Sequence, residues 1–244
     1  MRFDVVTLFP GLFDALLDFG ISGRALDRGL FRFKAWNPRD FATDNYRTVD
    51  DRPYGGGPGM VMLAEPLDAA MDAIEAELQQ DNIEAHVIYF TPRGRALDHA
   101  KVVELAKRPQ LTLIAGRYEG VDERFLQRRV HEEISLGDFV LSGGEIPALA
   151  VMDAVIRQLP GSLNNAESAL QESFVDGLLD APCYTRPEVY RGETVPDVLM
   201  SGNHKAIERW RLQQRLKLTA KRRPDLLDKR GMSRAEKDLL DGKD

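Results

Sequence analysis

The fold is decided by one stretch, which reads Ile134-Ser135-Leu136-Gly137-Asp138-Phe139-Val140-Leu141-Ser142-Gly143-Gly144-Glu145-Ile146-Pro147. It places three glycines and an aspartate between apolar residues. Because glycine has no Cβ, it allows positive φ and the close approach of another backbone or a ligand. We therefore predict a binding loop here, with a glycine-rich connection needed only for turn geometry as the alternative.

The residues after this loop predict a helix that begins at the loop. One helical face carries Ala148, Val151, Met152, Val155 and Leu159, which have the spacing of an amphipathic helix. Pro147 suits a first helical turn, and Pro160-Gly161 suits a helix end. The free N–H groups of the helix start, with its positive dipole, would then face a ligand in the loop.

Strands and helices alternate through the first two thirds of the chain. Strands are predicted at residues 2–8, 30–36, 86–90 and 111–115, and helices begin near residue 12 and cover residues 66–78 and 97–106. Loops rich in proline or glycine follow at residues 91–95, 116–120 and 137–144. This order predicts an α/β fold with a largely parallel sheet and a ligand site at the carboxyl ends of its strands.

Composition and motifs exclude several classes of protein. No run of about 18 apolar residues is present, and residues 1–10 lack a secretion signal, so a cytoplasmic location is expected by elimination. The single cysteine, Cys183, excludes an intrachain disulfide and a cysteine-based zinc site. Neither G-x-x-x-x-G-K-[ST] nor a G-x-G-x-x-G after the first strand occurs, which disfavours kinase-like and dehydrogenase folds. The four histidines lack the spacing of metal ligands.

Charge is unevenly distributed along the chain. The formal net charge of −6 argues against nucleic acid. Residues 203–223, however, are strongly basic, with Glu208 as their single acidic residue. The segment contains eight basic residues: Lys205, Arg209, Arg211, Arg215, Lys217, Lys221, Arg222 and Arg223. Arg211, Arg215 and Arg222 share a helical face. This segment is a candidate phosphate-binding surface, with an ordinary solvated helix as the alternative.

Five sequence motifs resemble those of one protein family, and they occur along the chain in the order that the family has. They are Leu136–Pro147, Gly116-Arg-Tyr-Glu-Gly-Val-Asp-Glu-Arg124, Tyr54-Gly-Gly-Gly-Pro-Gly-Met60, Tyr184-Thr-Arg-Pro-Glu188, and Ser201-Gly-Asn-His204 followed by Trp210-Arg211. Together they resemble the bacterial tRNA (guanine-N1)-methyltransferases of the SPOUT superfamily. The resemblance implies a deep trefoil knot, and methyl transfer from S-adenosylmethionine to N1 of guanosine-37, 3′ of the anticodon in tRNA. It also implies Mg²⁺, for which no ligands are evident, and a homodimer with the active site at its interface.

The resemblance also assigns the residues that bind the methyl donor. These are Pro92, Gly116, Tyr118, Glu119, Leu136, Gly137, Asp138, Phe139, Val140, Leu141, Gly143 and Gly144. The loop at residues 54–60 is expected near the donor and the target base. For Glu119 the alternative is a capping role for a helix that starts near Asp122, because acidic groups favour helix N-termini.

Two residues are implied as catalytic, and two positions depart from the family pattern. Methylating guanine N1 requires a base for its proton and a cation for the charge that collects on O6. Glu172 and Arg157 are the candidates, with an Arg157–Asp153 surface ion pair as the alternative for the arginine. Glu172 stands where the family usually has Asp, and Cys183 stands where it often has His. We expect Cys183 to have a packing role.

These observations predict three regions. Residues 1–160 are the knotted donor-binding catalytic domain, residues 161–173 a flexible linker, and residues 174–244 a helical tRNA-binding domain. Two rival functions are a non-catalytic RNA-binding protein on the same scaffold and a nucleotide-dependent oxidoreductase that uses the glycine loop for pyrophosphate.

Overall fold

The computed structural model describes residues 1–163 and 172–242. The chain divides into two compact units, Met1–Ala166 and Glu167–Asp244. The division falls inside the segment 161–173 that the sequence assigned to a linker. Residues 164–171 of that segment lie outside the described residues, and the functional assignment of the two units remains a prediction.

The first unit is built on a five-stranded parallel sheet. The strands of this unit are β1 (Arg2–Val6), β2 (Arg32–Trp36), β3 (Asp50–Asp51), β4 (Val61–Met62), β5 (Val87–Ala96), β6 (Gln110–Ile114) and β7 (Glu132–Ser135). The sheet has the order β2-β1-β6-β5-β7, and every neighbouring pair in it is parallel. Strands β3 and β4 form a separate antiparallel pair. The prediction of an α/β fold with a largely parallel sheet is confirmed.

Helices cover both faces of this sheet. They are α1 (Asp14–Asp18), α2 (Gly20–Asp27), α3 (Ala64–Gln80), α4 (His99–Leu105), α5 (Glu123–Arg129) and α6 (Glu145–Gln158), with 3-10 turns at Pro10–Phe13 and Pro38–Phe41. One core packs α2, α4 and α6 against side chains such as Val5, Ile88 and Leu113. The other packs α3 and α5 against Val6 and Ile114. Adjacent residues of β1, β5 and β6 thus enter opposite cores, as expected because successive side chains of a strand point to opposite faces of the sheet.

The predicted turn at residues 91–95 is wrong, because β5 continues through it. The pairing of β5 with β7 shifts register between Phe90 and Arg95, and then resumes as far as Ala96. A Cβ at Gly94 would lie 2.5 Å from the backbone nitrogen of Ile134. Because Gly94 lacks that atom, the two backbones pass closely and the strand bulges instead of turning away.

The second unit is small and mostly helical. It contains the hairpin of β8 (Val189–Tyr190) and β9 (Glu193–Thr194), and the helices α7 (Asp197–Met200), α8 (His204–Arg222), α9 (Pro224–Arg230) and α10 (Arg234–Leu240). These helices fall within residues 174–244, for which the sequence predicted helical structure. Leu178, Leu216 and Leu227 form its core. Among the helices of the described ranges, none is both long and apolar enough to cross a bilayer.

Candidate active site

Three segments of the first unit enclose a cavity at the carboxyl edge of the sheet. The cavity has a volume of about 280 Å³, close to the lower end of the usual range for small-molecule sites. The bulged part of β5, the loop after β6 and the glycine loop after β7 supply its walls. The lining residues are Tyr89–Pro92, Gly116–Gly120, Ile134–Gly137, Phe139–Gly144 and Pro147.

The structure brings together nearly all the residues that the resemblance assigned to the donor. All of them except Asp138 line this one cavity. Asp138 is exposed and lies outside the lining, because Gly137, with φ of +144°, turns the chain at that point. The contact of each lining residue with a methyl donor remains a prediction.

Two glycines are required by close contacts within the cavity wall. The Gly144 amide donates a hydrogen bond of 2.9 Å to the Gly116 carbonyl oxygen. A Cβ at Gly144 would lie 2.7 Å from the Cα of Ala115, and one at Gly116 would lie 2.8 Å from the Tyr89 ring. Real Cβ atoms do not approach so closely, so both positions need glycine for the loops to meet.

Tyr89 is a wall residue that the sequence analysis missed. It is nearly fully buried and packs against Gly116, and burial raises the pKa of its hydroxyl. Phe90, Thr91, Arg117 and Ser142 were missed as well. The available signal was their position within or directly before the predicted loops at residues 91–95, 116–120 and 137–144, which follow strands, because ligand sites of parallel sheets form at the carboxyl ends of strands.

The loop after β6 is held against the glycine-rich segment before β4. The Glu119 amide donates to the Met60 carbonyl oxygen over 2.9 Å, and a Cβ at Gly59 would lie 2.4 Å from Glu119 Cγ. The expected closeness of residues 54–60 to the cavity therefore holds for Gly59 and Met60. The capping alternative for Glu119 is wrong, because Asp122 itself caps α5 by accepting from the Arg124 amide.

Tyr118 marks the mouth of the cavity. It has a positive φ of 59°, which is uncommon for a bulky residue and often occurs at functional sites. Burial and a hydrogen bond with Asp50 raise the pKa of its hydroxyl. Its hydroxyl also lies 3.5 Å from the Arg39 guanidinium, so two polar groups orient the ring at the opening.

The two predicted catalytic residues lie in different units. Arg157 lies near the end of α6 and is half-buried, whereas Glu172 is the first described residue of the second unit. The structure describes each unit by itself, so the meeting of these two side chains stays a prediction.

The second unit contains a groove between residues 180–188 and helices α7 and α8. Its volume is about 1210 Å³. Arg186, Arg211 and Arg215 line it together with acidic residues such as Glu208 and apolar ones such as Leu212. Arg215 is paired with Asp176 and also donates to the Leu179 carbonyl oxygen, so its charge is partly neutralised. Tyr184 also lines the groove, and its ring lies 6.3 Å from the ring of Trp210.

Cys183 does not have the packing role that the sequence analysis expected. It is exposed and lines this groove, because residues 181–187 run along the surface. Its thiol donates to the Ala181 carbonyl oxygen over 3.7 Å.

The residues of the cavity suit a methyl donor better than a metal ion. Backbone groups of glycines surround the cavity, and aromatic and aliphatic side chains form its walls, which suits an adenosyl group attached to a sulfonium. In the described ranges, no group of three or more His, Cys, Asp or Glu side chains is placed to hold a metal ion. We therefore assign no residue to Mg²⁺.

Comparison with known proteins gives one family over most of the chain. A family model described as tRNA (Guanine-1)-methyltransferase TrmD matches residues 1–229. The tRNA (guanine-N(1)-)-methyltransferase of Thiobacillus denitrificans is 66% identical over 229 residues, which covers 94% of this chain and 97% of the relative. The proteins of the same name from Chromobacterium violaceum and Aromatoleum aromaticum are 61% and 62% identical, cover 98% of this chain in each case, and are covered over 94% and 91% of their own lengths.

Proposed function

Because the chain belongs to the tRNA (guanine-N1)-methyltransferase family, we propose that it transfers a methyl group from S-adenosylmethionine to N1 of guanosine-37, 3′ of the anticodon in tRNA. The observation that carries the proposal is the cavity where the loops after β6 and β7 meet the bulged part of β5. A site at the carboxyl edge of a parallel sheet is the usual place for an adenosine-containing ligand.

The donor-binding role falls to the glycine loop and its neighbours. Leu136, Phe139 and Leu141 supply apolar surface for the adenine faces, and Gly116 allows the backbone to approach. S-adenosylmethionine, when bound, supplies a methyl group on a positively charged sulfur. Glu119, at the cavity wall, offers a carboxylate to that positive end.

The base chemistry falls to Glu172 and Arg157. N1 of guanine gives up its proton as it is methylated, and Glu172 accepts that proton as the general base. Negative charge collects on O6 of the guanine, and the Arg157 guanidinium stabilises it. The Glu172 side chain is one methylene longer than the usual Asp. The backbone around Glu172 must therefore lie farther from the base by the length of that methylene.

The second unit is the proposed tRNA-binding domain. Helix α8 carries a dense set of basic residues, and its Arg211 lines the groove next to the exposed side chain of Tyr184. Cations for phosphates and aromatic rings for bases are the combination that binds RNA loops.

We further propose a homodimer with the active site at its interface. Several large apolar side chains of the first unit are more than two fifths exposed, among them Phe9, Phe19, Phe139, Val140 and Ile146. Phe139 and Val140 also line the cavity. Exposed apolar surface of this kind often marks an interface, and here it borders the site.

The knot and the cellular location complete the proposal. The close passage of residues 143–144 across residues 115–116 supports a trefoil knot, in which the chain threads through its own loop. A cytoplasmic location follows from the proposed tRNA substrate.

Two measurements test this function against its rivals. Calorimetry should show binding of S-adenosylhomocysteine and no binding of NAD; the reverse result would support an oxidoreductase. The protein should then transfer labelled methyl groups to an anticodon stem-loop transcript that carries guanosine-37, and not to one with adenosine there. Binding of the transcript without any methyl transfer would support the non-catalytic RNA-binding alternative.

A further inference from the structure

A buried carboxylate connects three elements at the edge of the cavity. Glu145, in the first turn of α6, is 1% exposed. The Thr7 hydroxyl, just after β1, donates to Glu145 Oε1 over 2.9 Å. Arg117, in the loop after β6, places Nε 2.8 Å from Glu145 Oε2. A single side chain thus joins β1, the loop after β6 and the helix that follows the glycine loop.

The Arg117 side chain also contacts the glycine loop itself. Its guanidinium donates to the Ser142 carbonyl oxygen over 3.3 Å and lies 4.4 Å from the centre of the Phe9 ring. A Cβ at Gly143 would lie 2.4 Å from Arg117 Nε. The arginine therefore crosses directly over the loop backbone, and glycine at position 143 leaves room for it.

We propose that Arg117 and Glu145 are a positioning pair that holds residues 136–144 in the conformation required by the methyl donor. This inference rests on the proposed function. Arg117 Nε and Glu145 Oε2 are buried and form an ion pair without the alignment of a hydrogen bond, and the hydrogen bond to the carboxylate comes from Thr7. Because a buried charge is stable only beside a partner, this pair ties the loop after β6 to the start of α6. Arg117 lines the cavity, whereas Glu145 is not among the cavity-lining residues, so Glu145 acts on the donor only through the loop.

The role of Glu145 distinguishes positioning from a direct contact. If Arg117 only supplied a charge to the donor, Glu145→Gln would leave that charge in place and donor affinity would be kept or improved. A positioning pair predicts the opposite. We expect Glu145→Gln to weaken S-adenosylhomocysteine binding by about 10- to 100-fold, which lies within the range of coupling between residues that share a network.

The control is a variant of another ion pair in the first unit. Asp68 in α3 is 17% exposed and accepts from Arg129 Nε in α5 over 2.9 Å, away from the cavity. We expect Asp68→Asn to keep the wild-type affinity for S-adenosylhomocysteine. Hydrogen exchange of residues 136–144 should rise in Glu145→Gln and stay unchanged in Asp68→Asn. Equal losses in both variants would indicate general destabilisation and overturn the inference.

Two further variants keep the test decisive. Arg117→Lys retains a cation beside Glu145 but loses the branched guanidinium that also reaches Ser142, so its KM for the donor should rise more than its kcat falls. This variant tests the inference even if Glu145→Gln does not fold. The double variant Arg117→Met with Glu145→Gln should lose no more affinity than the worse single variant, and multiplied losses would mean that the residues act independently. If wild-type protein itself fails to bind S-adenosylhomocysteine, the proposed function is wrong. If wild-type protein binds it and Glu145→Gln binds it equally well, only the positioning pair is refuted.

Discussion

Gly144 donates its amide hydrogen to the carbonyl oxygen of Gly116, 2.9 Å away. The two residues belong to loops that follow different strands, β7 and β6. Their backbones are so close that a Cβ at Gly144 would lie 2.7 Å from the Cα of Ala115. This contact joins two walls of the cavity, so the shape of the site depends on the absence of one methyl group.

Gly144→Ala should therefore damage both stability and donor binding. The backbone has to move to accept the new Cβ, and overpacking of this kind costs about 1–3 kcal/mol. Thermal unfolding and calorimetry with S-adenosylhomocysteine would measure the two effects. Gly11→Ala is the matched control, because its Cβ would meet only Asp14 Oδ2 at 3.6 Å; a tolerated Gly144→Ala would show that the close contact is not required.

Glu172→Gln should abolish methyl transfer and leave donor affinity nearly unchanged. The amide is close to the carboxylate in shape but cannot accept the N1 proton, and loss of a general base costs about 10²- to 10⁴-fold in rate. Single-turnover assays with tRNA would measure it. Glu172→Asp is the informative companion, because it restores the residue common in the family. Substantial turnover in Glu172→Gln would exclude this residue as the base.

Arg157→Ala and Glu172→Gln together test the interface site. Each homodimer should be inactive, because one lacks the cation for O6 and the other lacks the base. If each site takes Arg157 from one subunit and Glu172 from the other, co-expressed mixed dimers should recover up to about half of the wild-type activity, since one of their two sites is intact. Mixed dimers that are isolated with two tags and show no activity would place both residues of each site in one subunit.

Arg211→Gln should weaken tRNA binding and reduce its salt dependence. Each cation that neutralises a phosphate contributes about one unit to the slope of log affinity against log salt. Filter binding at several salt concentrations would measure the slope. Arg234→Gln in α10 is the control, since it removes the same charge away from the groove. An equal change in both variants would mean that only net charge matters.

Glu236→Gln should make the second unit less stable at neutral pH. The pKa of Glu236 is lowered from 4.5 to about 2, mainly by a hydrogen bond from Arg230 and to a smaller extent by one from the Ser233 amide. A lowered folded-state pKa stabilises the folded form above pH 4.5, and this stabilisation is lost as pH falls toward 2. The difference between wild type and Glu236→Gln should shrink over that window.

Pepsin is active in this acid range, so the rate of cleavage within residues 224–240 reports the effect on α9 and α10. Asp238→Asn, a change of equal charge in the same helix, is the control. A difference between Glu236→Gln and wild type that stays constant from pH 4.5 to 2 would contradict the expectation.

Local sequence patterns predicted β1, β2, β5 and β6, helices such as α3, α4 and α6, and the glycine loop, but not the short pairs β3–β4 and β8–β9. The alternation of residues in β1 and the spacing of Ala148, Val151, Met152 and Val155 depend on neighbours within a few positions. Such patterns are readable without a structure because each element has its own geometric period. The motif resemblance added the donor residues, and the structure brings nearly all of them to one cavity.

Contacts between segments that are distant in sequence could not be predicted from these local patterns. β5 continues past Pro92 because it pairs again with β7 at Arg95 and Ala96, and Gly94 permits that approach. Cys183 is exposed because residues 181–187 lie along the surface of the second unit.

The sequence by itself thus determined four of the five strands of the parallel sheet, the main helices of the first unit and the family motifs that they carry. Only the tertiary structure decided that Tyr89 faces Gly116 and that Arg117 crosses Gly143 to reach Glu145. The physical reason is that local propensity acts over a few residues, whereas the close approach of two backbones depends on how remote strands are ordered in the sheet.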